Sequence, residues 1–187
     1  MNIKKTISTI LAEIDAVVKL LDIQQADLVA MELVKHKGNI ILTGAGRVGY
    51  ALKGFSMRLS HIGFKSYFLG DSNVPSISNS DILFVASGSG ETQTIFDLVS
   101  IAHSKGAKII CVTSNPTSRI GKLAQLKIIL STPSKNNKTA NLVNTVQPMT
   151  TLNEQCLIVL FDALILHLMH LMNETDVSMW NRHSNLE

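Results

Sequence analysis

The feature of this chain that most constrains its fold is a series of five short apolar runs that alternate with helical patterns. The runs occupy residues 39–43, 66–69, 82–86, 108–113 and 126–130. Apolar residues at helical spacing lie between them, over 47–61, 92–105 and 118–124. Short apolar runs suit strands that are buried on both faces of a parallel sheet. The alternation therefore predicts an α/β fold, a doubly wound three-layer αβα sandwich around a five-stranded parallel sheet.

Further helical patterns lie on both sides of this alternation. Residues 3–36 have apolar residues at helical spacing, which predicts one long helix or two helices joined near Asp22. Residues 131–144 are polar and without period, which predicts a loop, whereas 152–172 and 176–182 again have helical spacing. A chain of 187 residues suits one domain. We expect an N-terminal helical segment at 1–37, an α/β core at 38–131, and a loop with C-terminal helices at 132–187.

The charge and the apolar content of the chain limit its partners. The 17 basic and 14 acidic residues, a net charge of +3, form no basic block, and few aromatic residues are present to stack on bases. We therefore expect no nucleic-acid partner, whereas an anionic substrate is compatible with this charge. Hydrophobic residues make up 45% of the chain and charged residues 17%. This apolar content predicts burial between subunits, and so a homo-oligomer.

The cysteines and the most apolar segment indicate a protein of the cytoplasm. Cys111 and Cys156 lie inside apolar stretches without metal-ligand spacing, and we expect both to be reduced core residues. We expect no targeting segment, because charged residues interrupt the pattern at the amino terminus. Asp162 interrupts the apolar segment 156–172, which is also short for a bilayer span. This segment therefore predicts a helix buried in protein, and no membrane partner.

The first glycine-rich loop, with Gly44, Gly46 and Gly49, follows the first predicted strand and begins a predicted helix. Together with Asp71 after the second strand, it has the pattern of a dinucleotide-binding fold. An oxidoreductase that binds NAD is therefore one alternative, although a helical segment precedes the first strand and a second glycine-rich loop comes later. In another alternative, the glycines only permit a tight turn between strand and helix.

A second glycine-rich loop joins the third predicted strand to the helix that follows. Its glycines let backbone N–H groups converge, the helix N-terminus adds partial positive charge, and its hydroxyl groups can donate hydrogen bonds. No lysine follows as in a P-loop, and no magnesium ligands are evident, so we expect a phosphomonoester as the ligand. The alternative is a capped helix after a glycine turn. The candidate phosphate-binding residues are Ser87, Gly88, Ser89, Gly90, Glu91 and Thr92.

This second loop resembles the phosphate loop of the sugar isomerase (SIS) family, and it follows the strand where that family carries it. Segments 44–47 with 57–63, 147–149 leading to Glu154, and 182–187 are similar to the 6-phospho-3-hexuloisomerase branch. The resemblance covers nearly the whole chain. It implies the flavodoxin-like SIS fold, a homotetramer, a phosphorylated sugar as substrate, and no metal or organic cofactor. The implied reaction converts 3-hexulose 6-phosphate to fructose 6-phosphate, as in the ribulose monophosphate pathway.

The same resemblance implies roles for individual residues. Glu154 is implied as the base that moves a proton between neighbouring carbons, and Arg47 as the charge that stabilises the enediolate or the sugar hydroxyls. His183 is implied as the acid or base that opens the cyclic sugar, in its own or in a neighbouring subunit. The ordinary alternatives are that Glu154 is a helix-start carboxylate, Arg47 a solvated arginine and His183 part of a free tail. For His61 the alternative is a helix-end histidine that bonds the last carbonyl groups. The substrate-binding set is completed by His61, Gly44 and Gly46.

Two departures from the branch bear on substrate choice. Thr150, Thr151 and Asn153 stand where the branch usually has glycine, serine and phenylalanine before the catalytic helix. Gln125 stands where it usually has aspartate. We expect both departures near the site, where they leave room for an altered substrate or a reduced activity. Another aldose–ketose phosphate isomerase, a non-catalytic sugar-phosphate sensor and the NAD oxidoreductase are the alternative functions.

Overall fold

The computed structural model describes residues 2–134 and 142–186 of the chain. Within them the predicted strands and helices are present, with bounds that differ by two residues at most. Residues 135–141 of the predicted loop lie outside the described residues. The strands are β1 Ile40–Thr43, β2 Ser66–Phe68, β3 Ile82–Ala86, β4 Lys108–Thr113 and β5 Leu126–Ile129. The helices are α1 Ile3–Val18, α2 Ile23–Lys35, α3 Gly46–His61, α4 Gln93–Ser104, α5 Arg119–Leu123, α6 Thr151–Met172 and α7 Asp176–Trp180.

The five strands form one parallel sheet in the order β2-β1-β3-β4-β5. Near its middle, Ile41 of β1 pairs with Tyr67 of β2 and with Leu83 of β3. This is the flavodoxin-like strand order, and it differs from the usual order of the dinucleotide-binding fold. The order reverses between β1 and β3, so the loops after these two strands meet at a topological switch point, where α/β proteins bind ligands.

Alternate side chains of the strands pack against helices on the two faces of the sheet. On one face, Leu42 and Phe84 share a core with residues of α1, α2, α3 and α6. On the other face, Leu83 and Ile109 share a core with residues of α4 and α5. All four side chains are buried, which explains why the strands appear in the sequence as continuous apolar runs. Helices on both faces confirm the predicted three-layer sandwich.

The N-terminal helical pattern forms two helices, which join near Asp22. The Asp22 side chain accepts a hydrogen bond from the Gln24 N–H at 3.0 Å and so caps the start of α2. α2 then packs along the edge strand β5. There the Gln25 side chain accepts a hydrogen bond from the Ile129 N–H at 3.0 Å, which satisfies a backbone donor at the edge of the sheet.

α6 is 22 residues long and, by length and composition, apolar enough to cross a membrane. In this structure it packs against α1, α2 and α3 on one face of the sheet. Phe161 stacks on Phe55 of α3, with ring centroids 4.6 Å apart, and meets Phe84 of β3 edge-on at 6.0 Å. This packing buries one side of α6, but only 39% of its most apolar stretch is buried, so the prediction of a helix buried in protein is met in part. The buried residues of α6 are Leu152, Asn153, Glu154, Cys156, Leu157, Leu160, Phe161, Leu164, Ile165 and Leu168.

Candidate active site

The two glycine-rich loops meet at the carboxyl edge of the sheet. The first follows β1 and leads into α3 at Gly46, and the second follows β3 and leads into α4 after Thr92. A Cβ atom on Gly44 would lie 2.7 Å from the Leu52 side chain, so this glycine lets α3 pack close to the end of β1. Gly44 is therefore explained by packing, whereas Gly46 lines a cavity between the two loops.

The carbonyl groups of the second loop, residues 87–92, are bonded to the body of the protein. The Gly88 carbonyl oxygen accepts hydrogen bonds from the Ser114 N–H at 3.1 Å and from the Ser114 hydroxyl at 2.7 Å. The Ser89 carbonyl oxygen accepts one from the Asn115 side chain at 3.3 Å. The loop after β4 thus holds carbonyl dipoles that would otherwise repel an anion at this place.

The donors of the second loop meet few protein acceptors. In the part of the chain that the structure describes, the N–H groups of Gly88, Ser89 and Thr92 donate no hydrogen bond to protein. The Ser87 and Ser89 hydroxyl oxygens accept from loop N–H groups at 3.1 and 3.2 Å, so their own protons stay available. The Thr92 hydroxyl does not cap α4. The loop therefore offers N–H and O–H donors at a helix N-terminus, an arrangement that binds phosphate.

Glu91 and Gly90, also candidates from this loop, are not among the residues that line the cavity. The Glu91 carboxylate accepts hydrogen bonds from the Arg119 guanidinium at 2.7 Å and from the Arg119 N–H at 2.9 Å. The hydrogen bond from the Arg119 side chain lowers the pKa of the Glu91 carboxyl, and the one from its backbone N–H lowers it further. Gly90 is buried against Ser118. Both residues therefore stabilise the loop by contacts outside the cavity.

The loops enclose a cavity of about 430 Å³. Its walls come from both glycine-rich loops and from the start of α6, so donors of the second loop and the predicted base line one space. A volume of several hundred Å³ is usual for a small-molecule site. The candidate residues that line the cavity are Gly46, Arg47, Ser87, Gly88, Ser89, Thr92 and Glu154.

Glu154 is buried in the first turn of α6, where its Oε1 atom accepts a hydrogen bond and its buried Oε2 atom forms an ion pair but, among the described residues, no hydrogen bond. The Arg47 Nη1 atom lies 2.9 Å from Oε2, and the Thr150 hydroxyl donates a hydrogen bond to Oε1 at 2.9 Å. Arg47 also donates to the Thr151 hydroxyl at 3.4 Å. Two residues that depart from the family branch thus contact the predicted base and its arginine partner.

The other departures lie in different places. Asn153 is buried beside Gly88, and its amide donates to the Thr132 hydroxyl at 2.8 Å, so it supports the second glycine-rich loop from α6. Gln125 lies at the amino end of β5, where its side chain accepts from the Ile109 N–H at 2.6 Å. The expectation that Gln125 lies near the site is wrong, because the glycine-rich loops are at the opposite, carboxyl end of the strands.

A second cavity, of about 490 Å³, is also lined by Arg47 and Glu154. His61 and His183 line this cavity, and their ring centroids are 5.0 Å apart. The Arg182 guanidinium donates to the His61 carbonyl oxygen at 2.9 Å and so attaches the C-terminal tail to the end of α3. The structure therefore brings the two histidines together next to the ion pair, in a cavity that the second glycine-rich loop does not line.

Residues that the sequence pattern did not single out for the site also build it. Ser114 and Asn115 hold carbonyl groups of the second glycine-rich loop. Thr150, expected near the site only as a departure from the branch, holds the carboxylate of the predicted base. Ser114 and Asn115 directly follow β4, the neighbour of β3. Polar residues after adjacent parallel strands are a signal that identifies such residues. Thr150 gives no comparable local signal, because the direction of its hydroxyl depends on how α6 begins.

The described residues include no metal cluster. Among residues 2–134 and 142–186, no group of three or more His, Cys, Asp or Glu side chains is placed to hold a metal ion. Cys111 and Cys156 are buried, and burial raises the pKa of the Cys111 thiol to about 12 and that of the Cys156 thiol to about 11. Both thiols are therefore protonated at neutral pH, as predicted for core cysteines.

Comparisons with known proteins identify the family of the chain. The SIS domain family matches residues 32–159 of the chain. A 3-hexulose-6-phosphate isomerase of Bacillus subtilis is 34% identical over 187 residues, which is 100% of both chains. A 3-hexulose-6-phosphate isomerase of Mycobacterium gastri is 32% identical, over 100% of this chain and 92% of its own.

A solved structure shows the same fold at full length. The crystal structure of a Methanococcus jannaschii protein, with an inferred molecular function of 3-hexulose-6-phosphate isomerase, has a TM-score of 0.84 and 28% identity. It covers 98% of this chain and 99% of its own. The family match includes both glycine-rich loops and Glu154, and the full-length relatives extend it to the tail with His183. This chain therefore belongs to the SIS domain family.

Proposed function

We propose that the chain is a sugar-phosphate isomerase that interconverts 3-hexulose 6-phosphate and fructose 6-phosphate. The observation that carries the proposal is the cavity that Glu154 lines together with the donors of Ser87, Gly88, Ser89 and Thr92. Binding of the phosphate at the loop leaves the carbonyl end of an open-chain sugar near the base. The full-length relatives named 3-hexulose-6-phosphate isomerase support this choice of substrate.

The reaction moves a carbonyl group from C3 to C2 of the sugar. Glu154 removes the proton from C2, the electron pair forms the C2–C3 double bond of an enediolate, and negative charge develops on O3. The proton of the C2 hydroxyl then passes to O3. Protonated Glu154 returns its proton to C3, which leaves the carbonyl at C2. One carboxylate can serve both transfers because the two carbons are adjacent.

The other candidate residues assist this proton transfer. Arg47 lies 2.9 Å from Glu154 and carries a permanent charge with several N–H donors, so it can contact the base and an enediolate oxygen together. His183 lines the neighbouring cavity with His61, from where it can exchange the proton that opens the cyclic sugar.

We also propose that the whole chain is one domain and that the protein acts in the cytoplasm. α1 lies outside the family match, yet it packs against α6 in the same core as the matched residues. Cys111 and Cys156 are free and buried, which fits a reducing compartment.

Turnover by the purified protein tests the proposed function. We expect fructose 6-phosphate to form from 3-hexulose 6-phosphate in a coupled assay. Unphosphorylated fructose should bind poorly, because each hydrogen bond to a charged group contributes about 1.5–3 kcal/mol. A panel of aldose and ketose phosphates separates this activity from that of other isomerases of the family. Binding of fructose 6-phosphate without turnover of any panel member would favour the sensor and contradict the isomerase.

The cavity with the two histidines lies in an apolar surface. Tyr50, Met57 and Ile158 line it and are 77%, 55% and 52% exposed. Exposed apolar patches of this kind are typical of interaction surfaces. We propose that a second copy covers this face in a homotetramer, so that His183 acts at a boundary between subunits.

Light scattering at micromolar concentration should give a mass close to that of four chains. Ile158→Glu should lower this mass, because an unpaired charge in an apolar interface is costly to desolvate. The matched control is Ile101→Glu, since Ile101 is 56% exposed on α4, at the opposite face of the sheet, and its replacement should leave the mass unchanged. A monomeric wild type would remove the proposed tetramer and the shared role of His183.

A further inference from the structure

The carboxylate of Glu13, on α1, takes no part in the chemistry described so far, yet it makes three hydrogen bonds to the segment before α6. Its Oε2 atom accepts from the Thr145 hydroxyl at 2.6 Å and from the Gln147 side-chain amide at 2.9 Å. Its Oε1 atom accepts from the Val146 N–H at 2.8 Å. Hydrogen bonds to a charged acceptor are stronger than those between neutral groups. Glu13 therefore binds this segment tightly.

The ionised form of Glu13 is the one that these contacts favour. Burial raises the pKa of the carboxyl, but the hydrogen bonds from Thr145, Val146 and Gln147 lower it by more. The resulting pKa lies below the ordinary value for glutamate. The carboxylate is therefore charged at neutral pH and holds all three donors at once.

The segment has few other anchors. In the described part of the chain, Glu13 is the partner in every hydrogen bond that residues 144–147 make to another element. Val146 is 76% exposed and Met149 is 93% exposed, so their side chains add little packing. On either side, the Val143 N–H donates to the Ser131 carbonyl oxygen at 2.9 Å and the Thr151 hydroxyl donates to the Pro148 carbonyl oxygen at 2.8 Å. Glu13 therefore holds the stretch between these two anchors.

The segment ends in an unfavourable conformation next to the predicted base. Met149 has a φ of 57°, in the left-handed region that residues other than glycine rarely adopt. Thr150 is the N-cap of α6, but its side chain makes no capping hydrogen bond, and its hydroxyl donates to Glu154 instead. Such conformations persist where the surrounding structure holds them, and they cluster at functional sites.

We propose that Glu13 is a positioning residue of the active site. By binding residues 145–147, it holds Thr150 in place and so directs the Glu154 carboxylate towards the substrate. Glu13 acts through the segment and touches no substrate. The inference rests on the proposed function, which assigns Glu154 as the base. Loss of Glu13 lets the segment relax and releases the Thr150 hydroxyl from Glu154, while the phosphate loop keeps its structure.

Glu13→Gln tests this role, with Asp15→Asn as the matched control. Asp15 lies on the same helix and pairs on the surface with Lys19 at 2.6 Å. We expect Glu13→Gln to lower kcat by about 10- to 100-fold, the effect of a small misplacement of a catalytic group, and to change KM by less than about threefold. Asp15→Asn should keep the wild-type kcat. If Glu13 had only a structural role, its replacement would change the thermal stability but not the kcat of the folded protein.

Amide hydrogen exchange provides a readout that does not depend on turnover. In Glu13→Gln, the amides of residues 145–151 should exchange faster than in the wild type and in Asp15→Asn, and those of residues 87–92 should not change. Thr145→Val, added to Glu13→Gln, should lower kcat little further, because both substitutions break the same set of contacts. Should Glu13→Gln fail to fold, Thr145→Val alone removes the 2.6 Å hydrogen bond and should still lower kcat.

The outcomes separate this inference from the proposed function. Turnover by the wild type is measured first. An inactive wild type would overturn the proposed function alone. Faster amide exchange at residues 145–151 in Glu13→Gln would then still support the contact of Glu13 with residues 145–147. With an active wild type, an equal kcat in Glu13→Gln and Asp15→Asn would overturn the positioning role. Equal exchange at residues 145–151 in these two variants would overturn it as well.

Discussion

Glu154→Gln is expected to lower turnover of 3-hexulose 6-phosphate by about 10²- to 10⁴-fold, while binding of fructose 6-phosphate stays within about threefold of the wild type. The amide keeps the shape of the side chain, and the Thr150 hydroxyl, now 2.9 Å from Oε1, can rotate to bond with it. However, the amide cannot take up a proton from carbon. The donors of residues 87–92 are unchanged, so affinity and chemistry should separate.

Solvent exchange measures the same proton abstraction directly. In deuterated water the wild type should incorporate deuterium at the carbon next to the carbonyl group, and Glu154→Gln should not. The matched control is Glu32→Gln, because Glu32 also pairs with a cation, Lys108 at 2.5 Å, but at the amino end of β4. The control should isomerise at the wild-type rate. Undiminished exchange by Glu154→Gln would assign the base to another residue.

Gly90→Ala is expected to lower the free energy of unfolding by about 2–5 kcal/mol. Gly90 has a φ of 64°, a left-handed conformation that costs an alanine about 1–2 kcal/mol. The new Cβ atom would also lie 1.9 Å from Ser118 Oγ, and overpacking of this kind adds about 1–3 kcal/mol. Ser118 is not free to turn aside, because its hydroxyl accepts from the Gly121 N–H at 3.1 Å as the cap of α5. Denaturant unfolding measures the loss.

Gly46→Ala is the matched control for this substitution. Gly46 has nearly the same backbone conformation, with a φ of 58°, but no atom lies within 4 Å of the position of its Cβ. Gly46→Ala should therefore lower the free energy of unfolding only by the cost of the left-handed backbone conformation, about 1–2 kcal/mol. Because Gly90→Ala also displaces the phosphate loop, it should lose affinity for fructose 6-phosphate as well. Equal losses of stability in the two variants would show that the contact with Ser118 costs nothing.

The strands and most helix bounds could be predicted because they follow from short-range patterns. The predicted runs at 82–86 and 108–113 coincide with β3 and β4, whose residues are nearly all buried. Strands buried on both faces are continuous apolar runs, so their ends are visible in the sequence. The short helix predicted at 176–182 ends at Trp180 in the structure. Its end is predicted less well because apolar spacing indicates a helix but does not determine its last turn.

The candidate site could be predicted only in part. Residue types and the resemblance to a family single out the loop at 87–92, Arg47 and Glu154, and the structure places most of them around one cavity. Glu91 belongs to the same loop, yet its carboxylate is bonded to Arg119, which lies 28 residues away in the chain. The direction of a loop side chain depends on such a distant partner, and no local pattern specifies it.

The order of strands and helices follows from the amino-acid sequence alone, because each element depends on residues that are neighbours in the chain. That order is enough to bring both glycine-rich loops to one edge of a parallel sheet. Only the folded chain decides which side chains then meet. The contacts of Glu154 with Arg47 and of Glu13 with Thr145 join residues more than 100 positions apart. Such contacts form only where packing brings two elements within hydrogen-bond distance and in the right direction, and that depends on the whole core.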